Sequence, residues 1–241
     1  MLLPPDYVQQ MLSVWDEECG MVSAPPVGTA PSNYWAIVEC AFLNTHQARW
    51  QLIADELGSA FALGKNLMFR KSILDPLGGI AALAVEPAED AAATRVLRQA
   101  GYHVRLSWLP FSQPLGSRSF SQLWSRQVRW AKLRHATFPV WYYPEILAGS
   151  MLPLLAAISG CGAIGINPLV GAIAMAALWF GSEFALCRWT GWHCCARMPL
   201  AILTRDILIP VFWIAGLTGK DFEWQGHRTS ARREDTPATI G

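Results

Sequence analysis

The chain has 241 residues, enough for one sizeable domain and an appended segment. Apolar residues make up 52% of the chain and charged residues only 15%, below the roughly 25% charged share of average soluble domains, so the composition favours a membrane protein. The net charge of +1 argues against a nucleic-acid-binding protein, which needs a clear basic excess. The six cysteines include no CxxC pair, so we expect reduced, structural thiols and no metal site.

The first sixty residues are predicted to contain two helices separated by a short strand. An apolar stripe predicts a helix over residues 5–19, and residues 21–24 suit a strand that ends at a pair of prolines. Residues 33–50, rich in apolar side chains, predict the second helix. His46 lies near the end of that helix, where it is either a polar helix-end residue or a functional side chain.

Residues 61–79 combine a weak strand pattern with three glycines. The first part alternates enough for a strand that contains Gly64, and residues 72–75 suit a helical turn that Gly78 and Gly79 break. A glycine within a strand marks either a bulge or the close approach of a ligand or another backbone. Both interpretations of Gly64 stay open from the local sequence.

A helix is predicted over residues 87–100, followed by a strand over 102–108. Proline and two acids stand in its first turn, arginines stand near its end, and Gly101 ends it. Strands interleaved with helices indicate an α/β layer. Glu89 and Asp90 would lie at the helix N-terminus, where the macrodipole favours their ionised form. They either cap the helix or provide a carboxylate that takes a proton from a hydroxyl nucleophile.

A basic, tryptophan-containing helix is predicted over residues 121–134. At about 100° per residue, Arg126, Arg129 and Trp130 share one side, and Trp124 and its apolar neighbours lie roughly opposite. One side would pack on a core while the other offers two guanidinium groups and an indole to a ligand, since guanidinium groups suit phosphate oxygens. The alternative is a basic amphipathic helix on a membrane surface.

The chain then becomes apolar, and we predict three domains or segments. Residues 1–135 form a cytoplasmic α/β portion, residues 136–218 contain membrane helices, and residues 219–241 are a polar tail that becomes disordered. The predicted spans cover about 146–166, 168–187 and 199–217. The third span contains Arg205 and Asp206, so it either crosses with these two residues paired inside the protein or lies in the interface; we expect crossing.

Basic residues on both sides of the first two spans predict the orientation of the protein. Arginines from Arg126 to Arg134 precede this helical hairpin, and Arg188 and Arg197 follow it. By the positive-inside tendency both ends of the hairpin face the cytoplasm. We therefore expect a multi-pass membrane protein whose globular portion lies on the cytoplasmic side.

Four motifs occur in a fixed order along the chain: Gly64-x-Asn66-x-x-x-Arg70-Lys71, Leu74-Asp75-x-x-Gly78-Gly79, Ala88-Glu89-Asp90 and Arg126-Gln-Val-Arg129-Trp130-Ala-Lys-Leu-Arg134. The set resembles the processive and lipid-directed family-2-type glycosyltransferases, and within them it is most similar to the ceramide glucosyltransferases. The resemblance covers roughly residues 5 to 217. The Arg-x-x-Arg-Trp motif alone would be weak, whereas the ordered set is specific.

The resemblance implies a partial GT-A glycosyltransferase domain followed by C-terminal membrane helices. It implies that Asp90 is the general base for the acceptor hydroxyl, and that the nucleotide diphosphate and the acceptor are held by a set of donor- and substrate-binding residues. That set is Gly64, Glu89, Arg126, Arg129, Trp130 and His46, the last of which matches a histidine near the donor site. The implied reaction is inverting transfer of a hexose, usually from UDP-glucose, to a ceramide-like lipid, aided by Mg²⁺ or Mn²⁺.

The chain departs from the family pattern at its beginning. Family members carry an N-terminal membrane helix and then an Asp-x-Asp motif that holds the metal and the diphosphate, whereas no Asp-x-Asp occurs between Met1 and Glu89. The run Asp16-Glu17-Glu18, on the first predicted helix, is a poor substitute. We therefore expect the donor half to be absent, through a start assigned downstream of the true one, a separate partner chain, or loss in a relic.

Three hypotheses of function remain at this point. The first is a membrane-bound ceramide glucosyltransferase, incomplete as given, and the second is the same chemistry on a hopanoid or another lipid. Synthesis of a polysaccharide is disfavoured because the chain has no long array of membrane helices. The third is a truncated, non-catalytic membrane protein.

Overall fold

The structure is a computed structural model, and it describes residues 1–62, 64–85, 88–218, 221–224 and 227–230. Glu86 and Pro87, which belong to the predicted start of the 87–100 helix, lie outside these ranges, as does the last part of the predicted tail, residues 231–241. The described chain is mixed α/β in its first half and helical in most of its second half.

Two pairs of parallel strands that follow one another along the chain, β1 with β4 and β2 with β5, form the centre of the α/β portion. Strand β1 pairs with β3 in antiparallel and with β4 in parallel orientation, and β2 pairs in parallel with β5. Backbone hydrogen bonds from Ser107 N–H to Ser23 O (2.8 Å) and from Phe111 N–H to Pro25 O (3.1 Å) join the two parallel pairs. The strands are β1 Cys19–Ser23, β2 Pro26–Pro31, β3 Leu67–Phe69, β4 His103–Leu106 and β5 Phe111–Gly116.

Helices cover the strands and then continue into the apolar region. The α-helices are α1 Tyr7–Leu12, α2 Tyr34–Ala41, α3 Arg49–Glu56, α4 Lys71–Leu74, α5 Glu89–Gln99, α6 Phe120–Thr137, α7 Pro139–Tyr142, α8 Met151–Ala163, α9 Pro168–Trp189 and α10 Met198–Leu217. Helical segments of other types are the π-helix Phe42–Ala48 and the 3₁₀ segments Asp75–Leu77, Gly79–Val85 and Tyr143–Ala148.

Several predicted elements are confirmed with shifted boundaries. The strand at residues 21–24, the helix from 33, the turn at 72–75, the strand at 102–108 and the helix at 121–134 are all present. Gly78 and Gly79 both have positive φ angles, 99° and 63°, which explains why glycines end the short helix there. Gly101, with φ 85°, follows α5 as predicted.

Three local predictions are wrong. The first helix ends at Leu12 rather than at residue 19, and Asp16 lies beyond it, in hydrogen-bond contact with His103. Gly64 is in a turn ahead of a strand that begins only at Leu67, rather than inside a strand. Strands β2 and β5 were not predicted, because their prolines and glycines obscure the alternation that marks a strand.

The long helix that begins at α2 contains a π-helical segment in the middle. Asn44, buried in this segment, accepts a hydrogen bond from Gly28 N–H (2.7 Å) and donates one to Gly28 O (3.2 Å). Its side-chain amide thus pairs with the β2 backbone in the way that a neighbouring strand would. A Cβ on Gly28 would lie 2.9 Å from Cys40 Sγ. The glycine therefore allows the strand and the helix to approach closely, and the π turn places His46 on the side of the helix facing α10.

In the described part of the chain, two helices are long and apolar enough to cross a membrane, α9 and α10, over the ranges predicted for the second and third spans. The predicted first span, 146–166, is not one straight helix. Its described residues form the end of a 3₁₀ segment and the 13-residue helix α8, and the axis bends by 49° between Pro139–Ala148 and Met151–Ala163. At about 1.5 Å per residue α8 alone is too short to cross.

The hairpin of α8 and α9 packs through small residues. A Cβ on Gly171 would lie 2.6 Å from both Ala157 O and Cys161 Sγ, so only glycine permits this helix–helix distance. Asn167 precedes α9 and accepts a hydrogen bond from Leu169 N–H (2.9 Å), which caps the helix.

Helix α10 shares one hydrophobic core with the α/β portion. Ile202, Ile209 and Phe212 of α10 are buried together with Phe42 and with Leu123 of α6. The rings of Phe212 and Phe42 lie 5.5 Å apart, and those of Phe212 and Trp124 lie 5.3 Å apart. The membrane-type helix is thus part of the packing of the α/β portion.

A buried network of charges joins α10 to its neighbours, as the prediction for the third span required. Arg205 is fully buried and donates to Asp206 Oδ1 and, through both terminal nitrogens, to Glu183 of α9 at 2.7 and 3.0 Å. Glu183 also accepts from Arg49 of α3 at 2.8 Å, and Arg205 donates to the Thr45 hydroxyl. Paired in this way, the charges satisfy one another inside the protein.

The segment after α10 differs from the prediction of a disordered tail. Asp221–Trp224 and His227–Ser230 pair as an antiparallel hairpin, with Asp221 opposite Ser230 and Trp224 opposite His227. The tail is therefore ordered over these eight residues.

Candidate active site

The turn at Gly64 brings the backbone against the start of α5. The Gly64 N–H donates to Asp90 Oδ2 at 2.9 Å, and the Ala91 N–H donates to Asp90 Oδ1 at 2.8 Å. A Cβ on Gly64 would lie 2.8 Å from Glu89 Oε1 and 3.4 Å from Asp90 Oδ2. The close approach at Gly64 is to two carboxylate side chains, rather than to the ligand or the second backbone that the sequence suggested.

The half-buried carboxyl of Asp90 has a perturbed acidity. Burial raises the pKa of Asp90 above its ordinary value, and the hydrogen bonds from the Gly64 and Ala91 N–H groups oppose this effect without cancelling it. Desolvation thus opposes the effect of the helix macrodipole that the sequence predicts for this position. A carboxylate with a raised pKa is a stronger proton acceptor than an ordinary one, as general-base catalysis requires.

Next to Gly64, the side chain of Lys65 reaches the indole of Trp130 on α6. The Lys65 ammonium lies 5.7 Å from the Trp130 ring centroid, and the Arg126 guanidinium carbon lies 5.8 Å from the same centroid. The ammonium also donates to Gln113 in the middle of β5. The residue as a whole is exposed, yet protein atoms around its ammonium desolvate it, and this effect and the charge of Arg126 lower the pKa of Lys65 to about 8.

A buried carboxylate on α2 positions the arginines. Glu39 is fully buried, accepts from Arg126 at 2.6 Å through one oxygen and accepts from Arg118 at 2.9 Å through the other. Arg126 is therefore paired inside the protein, which corrects the prediction that its guanidinium is free for a ligand. Arg129 has no acidic partner among the residues that the structure describes, so its half-buried guanidinium remains available.

The beginnings of α2 and α6 are tied together just beyond the parallel strands β2 and β5. Asn33 caps α2 by accepting from Ala36 N–H (3.1 Å), and it also accepts from Arg118 N–H (3.1 Å) and donates to Arg118 O (2.8 Å). Ser119 and Gln122 cap α6 reciprocally. Two helix N-termini and three arginines thus converge beyond the carboxyl ends of parallel strands, where anionic ligands bind in α/β folds.

Most of the predicted site residues come together, and His46 does not join them. Gly64, Glu89 and Asp90 adjoin one another, and Lys65 connects them with Trp130, Arg126 and the neighbouring Arg129. His46 lies instead in a separate cleft between the π-helical segment, α6 and α10, lined among others by Gln127, Arg134 and Glu145. Burial and the surrounding arginines lower the pKa of His46 well below its ordinary value, so the imidazole is neutral at physiological pH.

The sequence patterns missed two residues of this site, Lys65 and Glu39. Lys65 stands within the first motif, but its contact with Trp130 depends on the fold. Glu39 had a usable signal: it is the one charged residue in the apolar run from Tyr34 to Phe42, and a buried acid requires partners.

The divalent cation that the resemblance implies has no ligand set in the part of the chain that the structure describes. Among these residues no three His, Cys, Asp or Glu side chains lie close enough together to hold a metal ion. The described residues therefore do not fit the cation.

Comparison with known proteins gives a consistent family assignment. A family model described as "Glycosyl transferase family 21" matches residues 1–236. Ceramide glucosyltransferase 3 of Caenorhabditis elegans is 26% identical over 216 residues, which cover 88% of this chain and 47% of the relative. Ceramide glucosyltransferase 1 of the same organism is 28% identical over 141 residues, covering 58% of this chain and 30% of the relative. The chain thus matches less than half the length of these relatives. No solved structure matches it.

Proposed function

Because the chain belongs to glycosyl transferase family 21, we propose that it forms the acceptor-activating part of a membrane-bound enzyme that transfers a hexose from a nucleotide sugar to a lipid hydroxyl. The named relatives suggest glucose as the sugar, UDP-glucose as the donor and a ceramide-like lipid as the acceptor. A GT-A domain, with its donor site completed by carboxylates beyond those described, is the architecture that we propose for the whole enzyme.

The observation that supports this proposal most is the hydrogen bond from Gly64 to Asp90, next to the Trp130 indole and the two cationic side chains over it, Lys65 and Arg126. Asp90 takes the proton of the lipid hydroxyl, and the resulting oxygen attacks the anomeric carbon of the sugar. The bond from that carbon to the diphosphate oxygen breaks on the opposite face, so the configuration inverts. Negative charge then develops on the departing diphosphate, near the ammonium of Lys65 and the guanidinium of Arg129, which has no acidic partner in the described part of the chain.

The packing of the site supports a lipid as the acceptor. Helix α6 carries Trp130 and Arg129, and the same helix buries Leu123 against Ile202 and Phe212 of the candidate span α10. The site therefore lies next to a helix that can cross the bilayer. We further propose that it faces the cytoplasm, because Arg126–Arg134 and Arg188 and Arg197 flank the helical hairpin.

The test is Asp90→Asn, measured in membranes of cells that make the chain. We expect hexose transfer to fall at least about a thousandfold while UDP-glucose binding changes less than about threefold, since a base acts on the proton and not on the donor. Asp6→Asn, an exposed aspartate ahead of α1, is the matched control and should leave both unchanged.

Three results would contradict parts of the proposal. Equal loss of transfer and of donor binding would show that Asp90 binds the donor rather than acting as a base. Transfer to a hopanoid or another lipid, and not to ceramide, would correct the acceptor. Absence of transfer by the unsubstituted chain to any membrane lipid would remove the catalytic proposal for this chain.

A further inference from the structure

The cleft around His46 contains two buried polar atoms that have no hydrogen-bond partner among the described residues. They are His46 Nδ1 and Gln127 Nε2, and the Gln127 side chain is only 3% exposed. Buried polar atoms are nearly always paired, because leaving one unpaired costs the desolvation of the group. Two such atoms in one cleft indicate that a small polar group, either a water molecule or part of a ligand, completes their pairing.

The size of the cleft restricts that group. Its enclosed volume is about 20 Å³, which is room for one water-sized group and too little for a sugar ring or a phosphate. A hydroxyl fits this volume. It both donates and accepts, so it can pair with the Gln127 amide and with the neutral His46 imidazole in either tautomer.

The charge of the cleft restricts the ligand further. Arg134 donates to both oxygens of Glu145, at 2.7 and 3.0 Å, so the two charges at the rim neutralise each other. Among the residues that line the cleft, Arg134 is therefore not available to bind a phosphate group. The ligand that suits it is an uncharged, hydroxyl-bearing molecule.

The walls of the cleft indicate where the ligand comes from. One wall is α10, a candidate membrane span, through Phe212 and Trp213. The adjoining segment Pro139–Ala148 exposes large apolar side chains, with Val140 78% and Trp141 67% exposed. Such side chains are typical of the membrane interface, and they adjoin the cleft through Glu145 of the same segment.

We propose that this cleft is a subsite for a hydroxyl of an uncharged membrane lipid, held between His46 Nδ1 and Gln127 Nε2. The inference deepens the proposed function and rests on it for the choice of lipid. Gln127 precedes Trp130 by less than one turn of α6, so the subsite lies on the helix that also carries the candidate active site. His46 and Gln127 therefore select the lipid through its hydroxyl and do not take part in the proton transfer.

The experiment is photolabelling of the chain in lipid nanodiscs with an N-acyl amino alcohol that carries a diazirine near its head group. A matched probe has its hydroxyls converted to methyl ethers. We expect the hydroxyl probe to label peptides that contain residues 42–48 or 127–134, and Gln127→Leu and His46→Phe each to reduce this labelling about tenfold, the effect of a lost buried hydrogen bond. Gln99→Leu, an exposed glutamine on α5, is the control and should label like the unsubstituted chain.

Thermal unfolding of each variant, measured in parallel, shows which of them are folded. If Gln127→Leu does not fold, the labelling of His46→Phe tests the inference. Equal labelling by the methyl ether probe, or unchanged labelling of a folded variant, would overturn the inference. Labelling only elsewhere would mean that the cleft holds a water molecule. The assay requires no sugar transfer, so hydroxyl-dependent labelling without transfer would contradict the proposed function and leave this subsite intact.

Discussion

Arg205 of α10 and Glu183 of α9 form a bidentate ion pair at 2.7 and 3.0 Å, with side chains 0% and 1% exposed. The two helices that bear them are those long and apolar enough to cross a membrane. Because Glu183 also binds Arg49 of α3, this pair links the membrane-type helices to the α/β portion.

The first prediction concerns this pair. Arg205→Met leaves Glu183 and Asp206 buried with reduced compensation, and we expect it to lower the free energy of unfolding by about 3–5 kcal/mol. Thermal unfolding in detergent measures the effect. Arg188→Met, which removes an exposed arginine from the end of α9, is the control and should change stability by less than about 0.5 kcal/mol. Similar stability of both variants would show that the buried network is not structurally important.

The second prediction concerns the carboxylate that holds Arg118 and Arg126. Glu39→Gln removes the buried negative charge while keeping the shape of the side chain, so both guanidinium groups lose their charged partner. We expect a loss of about 3 kcal/mol in stability, together with weaker binding of nucleotide as Arg126 leaves its place beside Trp130. Glu56→Gln, at the exposed end of α3, is the matched control. Nucleotide affinity equal to that of the control would exclude a positioning role for Glu39.

The third prediction is a pH dependence set by Lys65. Its pKa of about 8 means that the ammonium is charged below that pH and neutral above it. Affinity for UDP, titrated calorimetrically in nanodiscs, should therefore fall as the pH rises from 7 to 9. Lys65→Met should bind UDP about tenfold more weakly at pH 7 and show little change over this range. Lys71→Met, an exposed lysine on α4, should retain the original profile, and an unchanged profile in Lys65→Met would assign the effect to another group.

The fourth prediction concerns a contact that only glycine permits. A Cβ on Gly216 would overlap the Tyr142 hydroxyl and lie 2.9 Å from Ala131 Cβ. Tyr142 would have to move and lose its hydrogen bond to Trp213 O (2.6 Å), so we expect Gly216→Ala to cost about 1–3 kcal/mol. Gly181→Ala on α9 has open space around the added methyl and should be neutral or stabilising. Equal melting temperatures would show that the packing at Tyr142 is loose.

Local sequence patterns were sufficient to predict features whose contacts are close in sequence or follow from a general physical requirement. The acids at the start of α5 and the internal pairing of Arg205 with Asp206 could be predicted, because a buried charge has few physical solutions, whereas the hydrogen bond from Gly64 to Asp90 was not predicted. The family resemblance added the order of the motifs and led to the same family that the comparisons give.

The remaining features depend on long-range contacts that no local pattern encodes. Glu183 lies 22 residues from Arg205 and Arg126 lies 87 residues from Glu39, so neither partner follows from helical periodicity. Strands β2 and β5 are stabilised by each other and by Asn44, not by intrinsic strand propensity. The bend before α8 lies in an uncharged stretch, where hydropathy alone predicts a single span.

The core that α10 shares with α2 and α6 has a mechanical consequence. A domain that buries Phe42 and Leu123 against a membrane-type helix cannot lift off or tilt on the bilayer without exposing that core to water. Under the proposed function, this packing holds Asp90 at a fixed height relative to the bilayer, so a lipid reacts only if its own structure brings its hydroxyl to that height. The choice of acceptor would then depend on the depth of each lipid's hydroxyl in the bilayer as well as on the lipid's chemical groups.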